Sequence, residues 1–261
     1  LQLDRIGDNV NTVSVTGQFD DCQKIVKKAF LDPDLSPLNL TSCNSINIGR
    51  ILPQIVYYFY TVSKISDDKE PLIFSVPSGN FGNSLGCEFA RRMGMPLSRI
   101  VIAVNENDEF PQFLSSGDFT PISPSRQCLS NAMNVGNPSN LARYFDLYNG
   151  HLLSNGIVKK KPDLSTMKEK LWSTSVSDLE TIQTIKDTWS DQGIILDPHG
   201  AVGLAALQKF RAKNKDNISR AIVLETAHPG KFCETVSEII ETDIFPPKSI
   251  KKIMRRKPVV Y

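Results

Sequence analysis

Two glycines and two asparagines follow an apolar run in the segment SGNFGN at positions 78–83. The apolar run, Leu72 to Val76, is typical of a buried strand, and the stretch that continues to Gly94 has helical apolar spacing. A glycine-containing turn between a strand and a helix exposes backbone N–H groups at the positive end of the helix dipole. Glycine permits close approach and positive φ, and asparagine tolerates left-handed backbone and offers extra donors. The sequence therefore predicts an anion site, and phosphate is its natural ligand.

A second junction of this kind occurs near the end of the chain. The apolar run Ala221 to Leu224 is followed by ETAHPGKF at positions 225–232 and then by another helical pattern. In an open parallel sheet, ligands bind at the carboxyl ends of the strands. We therefore expect the two junctions to face one cofactor.

The spacing within SGNFGN argues against the common nucleotide sites. It matches neither the GxGxxG pattern of dinucleotide-binding turns nor the GxxxxGK[ST] pattern of a P-loop. A tight turn that needs its glycines only for packing is the alternative that the residues alone leave open.

The pattern of strands and helices predicts the fold class. It indicates an α/β protein with an open, mostly parallel twisted sheet flanked by helices, because strands and helices alternate and the first junction opens a βαβ unit. We divide the chain into an α/β core at 1–110, an irregular and mainly helical insertion at 111–170, and a return to the core at 171–261. The expected elements are strands at 13–15, 72–76, 99–104 and 221–224, and helices at 20–30, 45–63 and 200–210. The 45–63 helix has an apolar stripe at Ile48, Leu52, Ile55, Phe59 and Val62 that predicts one buried face, with a kink at Pro53.

Composition limits the classes of function. The 261 residues include 40% hydrophobic and 22% charged residues with a net charge of +2, which gives no general nucleic-acid or membrane footprint. Five scattered cysteines without CxxC spacing indicate a reducing compartment, and we expect the cytoplasm. The same cysteine spacing and three isolated histidines predict no metal site.

Six separated segments together resemble threonine synthase, a pyridoxal 5'-phosphate enzyme of fold type II (the tryptophan-synthase-β-like group). They occur in the family's order and cover most of the chain. The segments lie at 17–23, 44–54, 76–83, 105–108, 129–133 and 226–232.

The resemblance implies a role for each junction. The cofactor phosphate would be held by the first junction, at Gly79, Asn80, Phe81, Gly82 and Asn83. Thr226 would face the pyridine nitrogen and tune how far the ring acts as an electron sink. On the residues alone, Thr226 is more simply a loop hydroxyl that bonds to nearby backbone.

The resemblance also suggests substrate contacts. Asn44, Ser45, Asn47 and Arg50 are candidates, with Arg50 as a bidentate donor to a phosphate or carboxylate. The simpler interpretation is a helix N-cap and a solvent-facing surface. Asn107, Ser130, Asn131 and His199 are weaker candidates, and Lys231 is expected to be structural or to face the phosphate.

One part of the family pattern is missing. The Schiff-base lysine of the family lies in a Phe-Lys-Asp segment upstream of the phosphate loop, and no such tripeptide occurs in this sequence. We therefore expect a C-terminal portion, incomplete at the N-terminus and inactive alone.

The intact enzyme would convert O-phospho-L-homoserine and water to L-threonine and phosphate. Its partner would be a small amino-acid phosphate, and monomer or homodimer is left open. A related phospho-lyase with another substrate and a non-catalytic binding module are the alternatives.

Overall fold

The elements of secondary structure alternate between helix and strand along most of the chain. The structure, a computed structural model, describes residues 9–65, 70–248 and 251. In chain order the elements are α1 (Phe19–Leu31), α2 (Ile55–Ile65), β1 (Leu72–Pro77), α3 (Gly82–Arg92), β2 (Leu97–Val104), α4 (Glu109–Ser116), α5 (Leu141–Leu147), β3 (His151–Leu152), β4 (Val158–Lys160), α6 (Leu164–Lys170), β5 (Leu171–Ser175), α7 (Asp178–Gln192), α8 (Pro198–Lys213), β6 (Ala221–Val223) and α9 (Cys233–Ile240).

Four of the strands form one parallel sheet in the order β5-β2-β1-β6. The β1-α3-β2 unit is parallel as the sequence predicted, with Val76 opposite Ile102. The α/β fold class with a parallel sheet flanked by helices is confirmed. The sequence analysis missed β5, which pairs with β2 at the edge. Serine and threonine fill much of β5 and its side chains are mostly half-buried, so it lacks the apolar run that marks a central strand.

The sheet is covered on both faces, which explains why every residue of β1 is buried. Phe74 and Val76 belong to the larger core cluster, which lies with α3, α4 and α5. Ile73, whose side chain points to the opposite face, packs with Val202 and Phe210 of α8. The period of two along each strand thus separates the two cores and fixes which strand ends open at the same edge.

Two of the expected N-terminal elements are wrong. Residues 13–15 form no strand, and Val13 is exposed. The helix expected at 45–63 begins only at Ile55, after short 3₁₀ helices at Ile48–Arg50 and Leu52–Gln54. The side chain of Asn47 accepts the Gly49 N–H at 2.9 Å, and Pro53 has no N–H to give. Both features favour short turns over a continuous α-helix.

The buried face of α2 also differs from the predicted stripe. Ile48, Leu52 and Phe59 are exposed, whereas Tyr58 is fully buried. The Tyr58 hydroxyl donates to the carbonyl of Asn83 at 2.7 Å, and its ring meets Phe74 edge-on with centroids 5.1 Å apart. A stripe counted from aliphatic residues misses this face because tyrosine is buried when its hydroxyl finds a partner.

Residues 111–170 contain short helices, loops and a small antiparallel pair, β3-β4. A capping box starts α7, because Ser177 N–H donates to Glu180 Oε2 at 2.8 Å and Glu180 N–H donates to Ser177 Oγ at 3.3 Å. Within the described residues, no helix combines the length and the apolar character that crossing a membrane requires.

Candidate cofactor-binding site

The SGNFGN segment connects the carboxyl end of β1 to the first turn of α3. Phe81 is the N-cap of α3 and takes left-handed backbone, with φ of 62°. Its buried ring packs edge-on against Phe110, with centroids 5.0 Å apart. This aromatic contact holds a bulky residue in a conformation that side chains rarely adopt. The left-handed residue of the turn is therefore Phe81, whereas the glycines and asparagines, which tolerate this conformation, do not adopt it.

The backbone of this turn offers a row of open donors. Ser78 N–H donates to the Ala103 carbonyl of β2 at 2.8 Å and anchors the turn to the sheet. No described residue accepts the N–H groups of residues 79–83. These donors lie at the start of α3, where the helix dipole adds partial positive charge. The arrangement can bind an anion with backbone alone.

The two asparagine side chains make hydrogen bonds that hold the turn. Asn83 Nδ2 donates to the Pro77 carbonyl at 2.8 Å, and its Oδ1 accepts the Ser84 N–H at 2.9 Å. Asn80 Oδ1 accepts the Ser139 N–H at 2.7 Å. The amides therefore satisfy nearby groups of the protein, and each Nδ2 donates one hydrogen bond within the described residues.

The glycines are needed for close approach and not for positive φ. A Cβ on Gly79 would lie 2.6 Å from Met133 Cα and 2.8 Å from the Ala132 carbonyl oxygen. A Cβ on Gly82 would lie 3.2 Å from Ser45 Cβ. The turn is thus pressed between the 130–133 segment on one side and Ser45 on the other.

Of the predicted substrate residues, the structure brings Ser45 to the turn. Ser45 Oγ accepts from Asn80 Nδ2 at 2.9 Å. Asn44 stays local, with its Oδ1 accepting the Ile46 N–H at 3.2 Å. Asn47 caps the 3₁₀ helix Ile48–Arg50, and the exposed Arg50 guanidinium has no partner among the described residues. The structure therefore ties Ser45 to the turn and gives Arg50 no contact there.

Sequence reasoning missed two residues beside Ser45. Asn140 is fully buried and donates through Nδ2 to both Ser45 Oγ at 2.9 Å and the Asn80 carbonyl at 2.8 Å. Arg143 donates to the carbonyls of Ser45 and Ile46 and to Asn140 Oδ1, and burial lowers the pKa of its guanidinium. The apolar spacing of Leu141, Tyr144 and Phe145 could have located α5, but no local signal joins it to residue 45.

Thr226 and the turn both follow the carboxyl ends of neighbouring parallel strands. β6 is the neighbour of β1, with Val223 opposite Ser75, and Leu224 N–H donates to the Ser75 carbonyl at 3.0 Å. Both strands end within a few residues of this pair. Thr226 is exposed and has no hydrogen-bond partner among the described residues, so its hydroxyl is not occupied by nearby backbone.

The weaker candidates take mainly structural contacts. Asn107 Oδ1 accepts the Arg126 N–H at 2.8 Å, and Ser130 Oγ accepts from Asn105 at 3.2 Å. Asn131 and Lys231 are exposed, and no described residue bonds to either side chain. His199, by contrast, is buried between two backbone segments, as described below.

Glu225, beside Thr226, forms a carboxyl pair with Asp197 at the start of α8. Glu225 Oε1 accepts the Asp197 N–H at 3.0 Å. The residue is exposed overall, but a Cβ on Gly200 would lie 1.7 Å from Glu225 Oε2, so its carboxyl is close against the helix. Burial of this carboxyl and the neighbouring Asp197 raise the pKa of Glu225 to about 8. Burial would also raise the pKa of Asp197, but hydrogen bonds from His199 and Glu225 outweigh it, and the pKa is lowered.

A cavity of about 490 Å³ lies at another place, between α1 and the segment before α2. Lys27, Phe30 and Asn47 are among its lining residues, and neither the turn at 79–83 nor Thr226 lines it. The candidate site rests on the open N–H groups of the turn and on the position of Thr226 after the neighbouring parallel strand, and not on this cavity.

The chain belongs to the pyridoxal-phosphate dependent enzyme family, whose model matches residues 1–226. The model for the threonine synthase C-terminal region matches residues 200–260. The chain is thus similar, in particular, to threonine synthases.

Individual relatives agree. Threonine synthase from Buchnera aphidicola subsp. Schizaphis graminum is 39% identical over 248 residues, which are 94% of this chain and 53% of the relative. The crystal structure of threonine synthase from Escherichia coli matches with a TM-score of 0.85 and 34% identity, over 98% of this chain and 56% of that one. The crystal structure of the yeast enzyme matches with a TM-score of 0.84 and 34% identity, over 99% and 58% of the two chains. The chain therefore spans about half the length of the relatives it matches.

Proposed function

We propose that this chain is the C-terminal part of a threonine synthase. The intact enzyme converts O-phospho-L-homoserine and water to L-threonine and inorganic phosphate, and its site of action is the cytoplasm. One observation carries the proposal: the N–H groups of residues 79–83 and the hydroxyl of Thr226, which have no partner among the described residues, follow the carboxyl ends of neighbouring parallel strands.

Pyridoxal phosphate fits the residues present. A phosphate group needs several donors and little steric bulk, and the turn supplies five backbone N–H groups with glycine at two positions. A hydroxyl such as that of Thr226 can donate to a ring nitrogen that carries no proton. Unlike a carboxylate, it does not strongly favour a protonated ring. When bound, the cofactor supplies an electron sink for bonds broken at the substrate's α-carbon.

The chain's own residues bind and orient. The N–H groups of residues 79–83 hold the phosphate, and Asn80 and Asn83 keep the turn rigid through their side-chain amides. Arg143 fixes the backbone at Ser45 and Ile46, so the 44–50 segment is held against the turn. Arg50, with an exposed and unpaired guanidinium among the described residues, is available to an anionic group of the substrate.

Turnover by the full-length protein that contains this chain tests the proposal. We expect inorganic phosphate and threonine in equal amounts from O-phospho-L-homoserine, and no phosphate release from O-phospho-L-serine. Phosphate release from phosphoserine without threonine formation would contradict the proposal and indicate a related phospho-lyase that acts on another substrate. A protein that binds the cofactor but consumes neither compound would contradict it.

A further inference from the structure

His199 is a buried imidazole between the start of α8 and the 130–133 segment. Only 4% of the residue is exposed. Its Nδ1 lies 2.5 Å from Asp197 Oδ1, and its Nε2 accepts the Ala132 N–H at 3.2 Å. The Phe232 ring covers it, with centroids 5.3 Å apart.

The two hydrogen bonds define the tautomer. Because Nε2 accepts an N–H, it carries no proton, and the proton of the neutral ring is on Nδ1, which donates to Asp197. Asp197 is itself buried and fixed, since its carboxylate also accepts the His199 N–H at 2.9 Å and the Gly200 N–H at 3.3 Å. The imidazole is therefore an oriented acceptor on a rigid helix start.

His199 Nε2 bonds to Ala132, whose backbone packs against Gly79 of the turn. The Ala132 carbonyl oxygen and Met133 Cα occupy the positions closest to Gly79, where a Cβ would collide with both. A shift of Ala132 therefore changes the space available to Gly79. The same helix start also receives Glu225, the residue before Thr226, through the Asp197 N–H. His199 and Asp197 thus connect the two strand ends that form the candidate site.

We propose that His199 is a positioning residue, whose Nε2 holds the Ala132 backbone against Gly79 and so keeps the N–H groups of the turn aimed at one point. The functional part rests on the role proposed above for the turn. His199 itself does not touch the anion. Its effect is on the geometry of donors that do.

His199→Gln and His199→Asn, whose side chains differ by one methylene, distinguish the hydrogen bond to Ala132 from the contact with Asp197. Glutamine in His199→Gln places Oε1 near the position of Nε2 and keeps the acceptor for Ala132. Asparagine in His199→Asn reaches only the position of Nδ1 and keeps only the Asp197 contact. His199→Leu removes both.

The first measurement is amide hydrogen exchange at Ala132. We expect exchange to rise about tenfold in His199→Asn and His199→Leu, and less than about threefold in His199→Gln. Affinity for pyridoxine 5'-phosphate, a probe without the reactive aldehyde, should follow the same order. A role confined to the Asp197 contact predicts the reverse, with asparagine better than glutamine, and that order would overturn the proposal.

A second measurement needs no variant. In the ¹⁵N-labelled unaltered chain, we expect the imidazole shifts of a ring protonated at Nδ1 and a scalar coupling between Ala132 nitrogen and His199 Nε2. A proton on Nε2, or no coupling to Ala132, would overturn the proposal even if every variant failed to fold. If these signals are present but the probe does not bind the unaltered chain, the proposed function of the turn fails and the hydrogen bond stands.

Discussion

A single methyl group at Gly79 should disable the anion site without unfolding the chain. The Cβ of Gly79→Ala would lie 2.6 Å from Met133 Cα, and ordinary contact begins at 3.4 Å, so turn and neighbour must separate by about 0.8 Å. Both colliding atoms belong to backbone, and no side-chain rotation relieves the clash. Overpacking of this kind costs about 1–3 kcal/mol, partly offset by the stiffer unfolded chain.

The same displacement should weaken anion binding. A hydrogen bond from a backbone N–H to a charged phosphate contributes about 1.5–3 kcal/mol, so losing one lowers affinity roughly 10- to 150-fold. The assay is calorimetric titration with pyridoxine 5'-phosphate, beside urea denaturation of the same samples.

Gly94→Ala is the matched control for the variant at Gly79. Gly94 has φ of +100° with no atom within 4 Å of an added Cβ, so alanine there costs backbone strain alone. We expect both variants to lose stability and only Gly79→Ala to lose affinity. Equal affinity losses in the two variants, or none at Gly79, would refute the reasoning.

Three further predictions concern groups in and around the site. Thr226→Val should change the free energy of unfolding by less than about 0.5 kcal/mol, because no described residue bonds to the hydroxyl, yet weaken binding of pyridoxine 5'-phosphate, with Thr226→Ser close to the unaltered chain. Burial raises the pKa of Glu109 to about 8, so the folded state retains a proton that the unfolded state loses near pH 4.5. As pH rises from 4.5 to 8, the free energy of unfolding should therefore fall by up to about 1.4 kcal/mol per pH unit, measured by urea denaturation. Glu109→Gln should flatten that fall, whereas Glu234→Gln, at an exposed position in α9, should keep it. Glu88→Gln should destabilise the chain by about 3 kcal/mol, measured by thermal denaturation, because Glu88 is fully buried and accepts from Arg91 and Arg92, and an unchanged melting temperature would count against this.

The sequence predicts the parts of the site that depend on local signals. An apolar run before SGNFGN and another before Thr226 identify two buried strands, and the parallel arrangement brings their ends to one edge. No periodicity predicts that Asn140 and Arg143 support Ser45, because these contacts join residues more than ninety positions apart. They exist only once α5 has packed on the larger core.

The wrong predictions have two physical causes. The stripe expected along 45–63 counted aliphatic residues in an uninterrupted helix, but Asn47 and Pro53 favour 3₁₀ turns and Tyr58 is buried through its hydroxyl. In β5, polar side chains face partly buried surroundings at a sheet edge, and pairing with β2 decides the strand. Tertiary contacts thus outweigh the local pattern at Tyr58 and in β5, whereas local turn chemistry ends the expected helix before Ile55.

The central claim is that residues 79–83 bind the phosphate and Thr226 the ring of one cofactor. The most direct test follows backbone amide shifts in the ¹⁵N-labelled chain during titration with pyridoxine 5'-phosphate, and then with pyridoxine, which lacks the phosphate. We expect the phosphorylated compound to move the amides of residues 79–83 and of Thr226 together with one dissociation constant. Shifts confined to residues around Lys24, Lys27 and Lys28 of α1, with the amides of residues 79–83 unchanged, would contradict the claim.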